Sequence, residues 1–216
     1  MAIARIRKRL APLGLVEGEN GAFMAGHGPK RAPLYYSAVV YSGLDDDDIR
    51  DLEYQLDYLL SYIPELLPFS ISTPYRDFLR ITNGLRFHCL NLSGHFCISA
   101  PTVGAPIGLD YSQMDRPNRV PNSSFGIGSM NGPRISQGKL YLTESGTVQL
   151  VDPYEGEVGA EWSSLSAFLR SEIPRLLDAY DDDGYLRVGA SPYPFEPEIW
   201  EAIAEKHKNK KFGEPA

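Results

Sequence analysis

The side chains of this chain that could bind a metal or act as nucleophiles are few and scattered. The histidines and cysteines are His27, His88, His95, His207, Cys89 and Cys97. Their spacing fits neither an HExxH pair nor the cysteine and histidine spacing of a zinc site. His88 and His95 could approach each other across a hairpin, but alternation along a strand sends adjacent side chains to opposite faces. We therefore interpret them as ordinary sheet residues and predict no metal site and no cofactor.

Two short motifs resemble ligand loops only in part. The segment GIGSMNG at 126–132 has Asn131 where the third glycine of a GxGxxG loop would fall, and it lacks a P-loop lysine, so we predict a turn between strands. The acidic run Asp181, Asp182, Asp183 precedes Gly184. If Gly184 held position 6 of a calcium loop, alanines would hold positions 1 and 12, where oxygen ligands are essential. Neither motif predicts a site.

Catalytic signatures are also missing from the sequence. There is no GxSxG elbow, and isolated serine, histidine and aspartate residues do not define a triad. Carboxylates are plentiful, but they occur in runs, which is typical of solvated faces and not of a tuned acid–base pair. We predict no catalytic residues and a protein that is not an enzyme.

Charge and hydropathy narrow the classes of partner. The chain has 216 residues, a formal net charge of −7 and a pI near 5.1. A phosphate backbone favours a basic face, so nucleic acid is excluded and a basic protein partner is favoured. There is no run of about 18 apolar residues, and the basic start lacks the apolar core of a signal peptide. We expect a cytoplasmic protein that does not bind membranes and is a monomer or a weak dimer.

The most strongly patterned element is a predicted helix over about 47–63. One stripe of apolar residues along it is predicted to face the core, and it comprises Ile49, Leu52, Leu56, Leu59, Leu60 and Ile63. Tyr54, Tyr58 and Tyr62 form a second stripe roughly 150° away, with Asp51, Asp57 and Ser61 beside it. Either the tyrosines form a recognition surface, or the N-terminal arm or the strand predicted over 34–43 covers them. Because the two stripes lie on nearly opposite sides of the helix, a single hydrophobic core cannot bury both.

The remaining elements are predicted from periodicity and turn residues. We predict an amphipathic helix within 1–16, a loop over 18–33, and a second short helix that starts at Ser72 or Thr73, just before Pro74, and stops at Asn83-Gly84. A hairpin is predicted from strands at 86–92 and 95–100 that turn at Ser93-Gly94. In that hairpin Cys89 faces Ile98, so both cysteines are expected to be reduced thiols.

Further strands are predicted at 125–129, 139–143 and 147–151, with turns at Asn131-Gly132, Ser145-Gly146 and Glu155-Gly156. A closing helix is predicted after Ser163 or Ser164, interrupted at Pro174, and a last helix starts near Pro197. Helices that alternate with short strands of this kind predict an α+β fold, a mainly antiparallel sheet packed against helices.

The order of these elements resembles the SUKH superfamily, in particular its Smi-one/Knr-four type of domain. The family pattern is matched here by Leu67, Pro68, Tyr75, Phe78, Leu79, Asn83, Gly84, Phe125, Gly126, Gly146, Thr147, Val148 and the segment from Trp162 to Leu169. The match covers about 45–180. It departs from the family by a small insertion at 70–74 and a long connection over 101–121.

The resemblance implies a protein that works by binding other proteins. Many bacterial members of the family are similar to immunity proteins of polymorphic toxin systems, which neutralise a cognate toxin that is often a nuclease, and fungal members resemble regulatory scaffolds. We expect a core domain at 45–180, an N-terminal extension at 1–44 and a C-terminal extension at 181–216, together one compact unit. The expected partner is a basic toxin domain, bound by Tyr54, Tyr58, Tyr62, Asp51, Asp57 and the acidic run Asp181, Asp182, Asp183. A regulatory scaffold with an endogenous protein partner is the alternative.

Overall fold

A nine-stranded antiparallel sheet, whose strands are arranged in the order in which they occur along the chain, forms the centre of the molecule. The computed structural model describes residues 2–13, 16–17, 23–25, 38–63, 70–95, 108–114, 116–130, 138–181, 185–191 and 193–194, with Glu198 and Ala202. The strands are β1 (Val16–Glu17), β2 (Phe23–Ala25), β3 (Ala38–Val40), β4 (Leu85–Phe87), β5 (Leu90–Leu92), β6 (Phe125–Met130), β7 (Gly138–Leu142), β8 (Val148–Val151) and β9 (Val158–Trp162). The helices are α1 (Ala2–Leu10), α2 (Asp46–Leu60), α3 (Thr73–Ile81), α4 (Leu109–Met114) and α5 (Leu165–Ala179), and a 3₁₀ turn (Ala11–Leu13) follows α1. The predicted α+β fold with a mainly antiparallel sheet is confirmed.

Helix α2 forms where the sequence predicts it, because both its start and its buried side are encoded locally. The Asp45 carboxylate accepts a hydrogen bond from the Asp48 backbone N–H, while the Asp48 carboxylate accepts one from the Asp45 N–H. This reciprocal capping box satisfies two donors that the first turn of a helix leaves without partners. Ile49, Leu52 and Leu56 are buried, so the predicted core stripe faces the core.

One large hydrophobic core joins the sheet to the helices. It combines Ile6 of α1, Leu56 of α2, Tyr75 of α3 and Phe168 of α5 with the inward side chains of the strands. Helix α2 packs against α3 and α4, and α1 packs against α5. Because β3 pairs with β4, the strands of the predicted N-terminal extension continue the same sheet as the strands that follow.

A smaller cluster lies on the opposite face of the sheet. Tyr141 of β7 and Val151 of β8 alternate with residues of the main core and pack with Val120. The Arg116 guanidinium carbon lies 5.2 Å from the centroid of the Tyr141 ring, and this cation–π contact helps to hold the segment 116–121 over the strands. Arg119 adds ion pairs to Glu155 and Glu157 at 3.2 and 2.9 Å.

The predicted hairpin at the cysteines is wrong in its turn. The segment 85–92 is itself a hairpin, in which Phe87 pairs with Leu90 and the chain turns at His88-Cys89. His88 has φ of 51°, the left-handed conformation that two-residue hairpin turns need and that histidine tolerates better than most residues. Cys89 is buried and is not part of a disulfide. Cys97 lies outside the described residues.

The predicted stop of α3 is also realised differently. The helix ends at Ile81, and Thr82, in an extended conformation, is its C-cap. Gly84 does have a positive φ, 99°, but the Asn83 side chain serves another purpose. Its amide donates to the His95 carbonyl at 3.0 Å and accepts from the His95 N–H at 2.5 Å, so it fixes the chain after β5.

Two other predictions are corrected and one is confirmed. The loop predicted over 18–33 contains strand β2, whose partner β3 begins only at Ala38. The predicted cap of the closing helix is confirmed at Ser164, which accepts from the Ala167 N–H at 3.0 Å, while Trp162 ends strand β9. Helix α5 runs without interruption through Pro174.

The strand predicted over 125–129 is confirmed as β6, so residues 126–130 of the glycine-rich segment are not part of a turn. Residues 131–132 lie outside the described residues. The turns at Gly146 and Gly156 are confirmed, with φ of 87° and 79°. Of the helix predicted near Pro197, only Glu198 and Ala202 are described, and both are helical. In the part of the chain that the structure describes, no helix combines the length and apolar character that crossing a membrane requires.

Candidate functional site

The predicted tyrosines are exposed on the outward side of α2 and in the turn that follows it. Tyr54, Tyr58 and Tyr62 are 78%, 62% and 73% exposed, so neither β3 nor the described residues of the N-terminal arm cover them. Tyr58 and Tyr62 meet edge to face with ring centroids 6.0 Å apart and hydroxyl oxygens 3.4 Å apart. This hydrogen bond raises the pKa of Tyr62. With Asp51 and Asp57, also exposed, these residues form what we call the tyrosine surface.

Helix α2 is held firmly beneath the tyrosine surface. Its apolar side lies in the main core, and three polar contacts add to this. Glu53 accepts hydrogen bonds from the Arg76 guanidinium and from the Ile71 N–H. Asp46 pairs with Arg80 at 2.9 Å. Because the helix is already ordered, its exposed side chains are presented to a partner without a large ordering cost.

The tyrosine surface also carries negative charge, and the helix to which it belongs is acidic along its length. The segment Asp45 to Leu60 has seven acidic residues and one basic residue, Arg50. Arg50 pairs with Asp47 at 2.9 Å. Within the described ranges, neither Asp51 nor Asp57 makes an ion pair, so both carboxylates are open to a partner's cations.

Of the acidic run predicted at 181–183, the structure describes Asp181, whose backbone and side chain are engaged just after α5. Asp181 follows α5, where its carboxylate accepts from the Tyr185 N–H at 2.8 Å, and its N–H donates to the Tyr185 carbonyl at 2.9 Å. Its negative charge acts to raise the pKa of His88, against the larger opposing effect of burial. Asp182 and Asp183 lie outside the described residues.

The described residues of the predicted family signature lie in the core and at the ends of elements. Tyr75, Phe78 and Leu79 are buried in α3, and Trp162 packs edge to face on Phe168 with centroids 4.8 Å apart. The Phe125 ring packs against Tyr75 at a tilt of 56°, and Gly126 lies so close to the Ser112 carbonyl that a Cβ would come within 2.3 Å of its oxygen. Asn83 and Gly84 are buried after α3. Leu67 and Pro68 lie outside the described residues.

A buried polar cluster surrounds the turn at His88. The His88 ring stacks on Tyr180, with 4.2 Å between centroids and 4° between planes, and burial lowers the pKa of His88 to about 4. Burial also raises the pKa of Cys89 to about 11 and that of Tyr180 above its usual value. A thiol that remains protonated at neutral pH is a poor nucleophile. Cys89 is therefore poorly suited to nucleophilic attack.

Glu172 and Arg175 of α5 extend this cluster to the C-terminal segment. Glu172 is almost completely buried, and the raised pKa that burial gives its carboxyl is opposed by Arg175, whose Nε lies 2.7 Å away. Arg175 Nη1 donates to the carbonyls of Ser191 and Tyr193 at 3.0 and 3.2 Å. The buried Glu172 carboxylate is thus paired with Arg175. The same arginine binds the segment after α5 to the helix.

A pocket of about 300 Å³ opens at the start of α3. We call it the α3 pocket. Its lining residues are Ser70, Ser72, Gln113, Arg116, Asn122, Ser123, Ser124, Phe125, Leu142, Thr143 and Glu144. Because they come from four separate segments, nothing in their sequence spacing indicates that they meet. The lining contains no histidine or cysteine, and Gln113 is already engaged, since its side chain exchanges hydrogen bonds with the backbone of Gly126 at 2.7 and 2.9 Å.

Among the described residues, no cluster of three or more histidine, cysteine, aspartate or glutamate side chains could hold a metal ion. Comparison with known proteins gives no match to a protein family, to a curated protein or to a solved structure. The similarity to the SUKH superfamily therefore remains a prediction from the sequence.

Proposed function

We propose that this protein is a non-enzymatic, cytoplasmic protein-binding domain of the SUKH type, most specifically an immunity protein that neutralises a cognate bacterial toxin. The observation that carries the proposal is the tyrosine surface: three large aromatic side chains that remain exposed on a helix and the turn after it, while the other side of the helix is buried in the core. Tyrosine gives a large contact area with few rotatable bonds and retains a polar tip, which favours it in protein interfaces.

The charge of the surface favours a basic partner. Asp51 and Asp57 lie beside the tyrosines without ion pairs in the described part of the chain, and the whole chain carries a net charge of −7. Complementary charge accelerates encounter, and guanidinium groups also bind to the faces of aromatic rings. A toxin that acts on nucleic acid presents a basic cleft, so a nuclease domain fits this surface.

Co-expression with the toxin encoded beside this gene tests the proposal. We expect growth to be restored and a stable complex to be recovered. The double variant Tyr54→Ala/Tyr58→Ala is expected to weaken the complex at least about tenfold, because truncating aromatic residues at the centre of an interface costs 1–2 kcal/mol or more each.

A matched control separates binding from folding. The exposed Asp178 of α5, replaced by asparagine, is expected to leave the affinity unchanged. The tyrosine variant should unfold at the same urea concentration as the parent protein. A toxin that remains lethal with no complex formed would contradict the immunity role. Unchanged affinity with reduced stability would show that the tyrosines serve the fold and not a partner.

A regulatory scaffold that binds an endogenous protein through the same surface is the second candidate. It is favoured by the same exposed tyrosines. Capture of a partner from the native host, followed by the same tyrosine substitutions, separates the two: a scaffold binds a host protein whose gene is unlinked to a toxin.

A further inference from the structure

The α3 pocket contains polar groups that the protein itself does not use. In the described part of the chain, the side chains of Ser70, Ser72, Asn122 and Glu144 make no hydrogen bond. Ser72 Oγ and Arg116 Nε are moreover buried without a partner. Buried polar groups are nearly always hydrogen-bonded in folded proteins, so unpaired atoms at the wall of a pocket are the groups with which a ligand can form hydrogen bonds.

One side of the pocket is suited to a carboxylate. Arg116 donates from Nη1 to the Pro121 carbonyl at 2.7 Å, but no acidic residue pairs with its guanidinium within the described ranges. Ser70 and Ser72 bring the start of α3 to the same pocket, and α3 has no acidic residue in its first turn to offset the positive end of the helix. The Ser72 hydroxyl does not cap the helix either.

The α3 pocket also has a negatively charged group, the carboxylate of Glu144. Glu144, in the turn between β7 and β8, is exposed at the pocket and forms no ion pair in the described part of the chain. Arg116 and Glu144 therefore line one pocket without neutralising each other. A ligand with an anionic group and a cationic group matches both, whereas a purely anionic or purely cationic ligand matches one and is repelled by the other.

We propose that the α3 pocket binds a free α-amino acid, with its carboxylate against Arg116 and the start of α3 and its ammonium group against Glu144. The volume of about 300 Å³ lies at the small end of ligand pockets, which suits a molecule of this size. The site is separate from the tyrosine surface, and the inference does not depend on the proposed protein partner.

Calorimetric titration of the full chain with each of the common amino acids tests the proposal. The amide and the N-acetyl derivative of the best ligand serve as matched compounds, because the first lacks the carboxylate and the second lacks the ammonium group. We expect both derivatives to bind at least about fivefold more weakly than the parent amino acid. Failure of every amino acid to bind, or equal binding of the derivatives, would overturn the proposal.

Two variants assign the contacts. Glu144→Gln should lower the affinity for the amino acid at least about fivefold and leave that for the N-acetyl derivative unchanged. Only the free amino acid has an ammonium group that contacts Glu144. Arg116→Gln should weaken binding of the N-acetyl derivative, which keeps the carboxylate. It should leave binding of the amide, which lacks the carboxylate, unchanged. The exposed Asp178→Asn variant is the control for loss of a carboxylate away from the pocket. If Glu144→Gln lowers the affinity for both compounds equally, or for neither, the proposed orientation is wrong.

Discussion

The hydroxyl of Tyr75 links three parts of the fold that are distant in sequence. It lies 2.5 Å from the Ser93 carbonyl and 3.0 Å from the Ile127 carbonyl, and its ring packs on Phe78 and Phe125. Burial raises the pKa of Tyr75 well above its usual value, so the group remains a neutral donor. A tyrosine here does what phenylalanine could not, because it fills the core and also satisfies a buried carbonyl.

Replacement of Tyr75 by phenylalanine is expected to lower the free energy of unfolding by about 1–3 kcal/mol, since the Ser93 carbonyl loses its donor in a buried position. Urea denaturation monitored by circular dichroism measures the change. Tyr58→Phe, the same chemical change at an exposed position, should be nearly neutral. Equal stability of the Tyr75 variant and the parent would show that the hydroxyl is not needed.

The titration of His88 predicts how stability depends on pH. Its folded pKa of about 4 lies below the unfolded value of about 6.5, because burial disfavours the imidazolium and the charge of Asp181 only partly compensates. Between these values the unfolded chain binds the proton and the folded chain does not. The stability contributed by neutral His88 is therefore present above pH ~6.5 and falls by as much as about 3 kcal/mol toward pH ~4.

His88→Asn should remove this contribution without breaking the turn, because asparagine also tolerates a positive φ. The measurement is the free energy of unfolding between pH 4 and 7. We expect a shallower dependence on pH in the variant than in the parent. An identical slope in both proteins would assign the acid sensitivity to other groups.

At the scale of elements, two serines at helix starts differ in what they contribute. Ser164 accepts a hydrogen bond from the Ala167 N–H, whereas Ser72, in the corresponding position of α3, makes no such bond. Ser164→Ala should therefore cost about 1 kcal/mol of stability, and Ser72→Ala should cost little. Thermal unfolding of both variants makes the comparison. A large loss of thermal stability from Ser72→Ala would mean that the Ser72 hydroxyl stabilises the protein in the absence of a ligand.

The two faces of α2 should respond oppositely to truncation. Leu56 is buried in the main core, so Leu56→Ala is expected to cost about 2–5 kcal/mol of stability. Tyr54→Ala should change it by less than about 0.5 kcal/mol, because its ring is largely exposed. Chemical denaturation tests both variants. A similar loss from each would show that the tyrosine also packs within the protein.

Local signals explain which elements were predictable. Helix α2 carries its own cap and a regular apolar stripe, and its observed bounds lie close to the predicted ones. The turn at His88-Cys89 contains no glycine, and the Ser93-Gly94 pair nearby matched the usual turn composition better. Strand β2 is only three residues long in a glycine-rich stretch, and its strand character comes from pairing with β3. The α3 pocket depends wholly on tertiary contacts.

At the scale of the whole molecule, the sheet unites the predicted N-terminal extension with the residues that follow it. Removal of residues 1–44 should expose the edge of β4 and remove Ile6, Phe23 and Val40 from the main core. An exposed apolar edge strand promotes association, so we expect the shortened chain to aggregate. Size-exclusion chromatography is the measurement. A monomeric fragment that unfolds cooperatively would show that residues 45–216 fold independently.

The order of the strands bears on how the protein forms during synthesis. Each strand pairs with strands adjacent to it in sequence, so the sheet can lengthen from one edge as the chain leaves the ribosome. Helix α1 precedes the nine strands in the chain, yet it packs against α5, which follows all of them. Its apolar side, with Ile6, therefore stays without its partner until α5 has been translated, and we expect the docking of α1 to be among the last steps in forming this core.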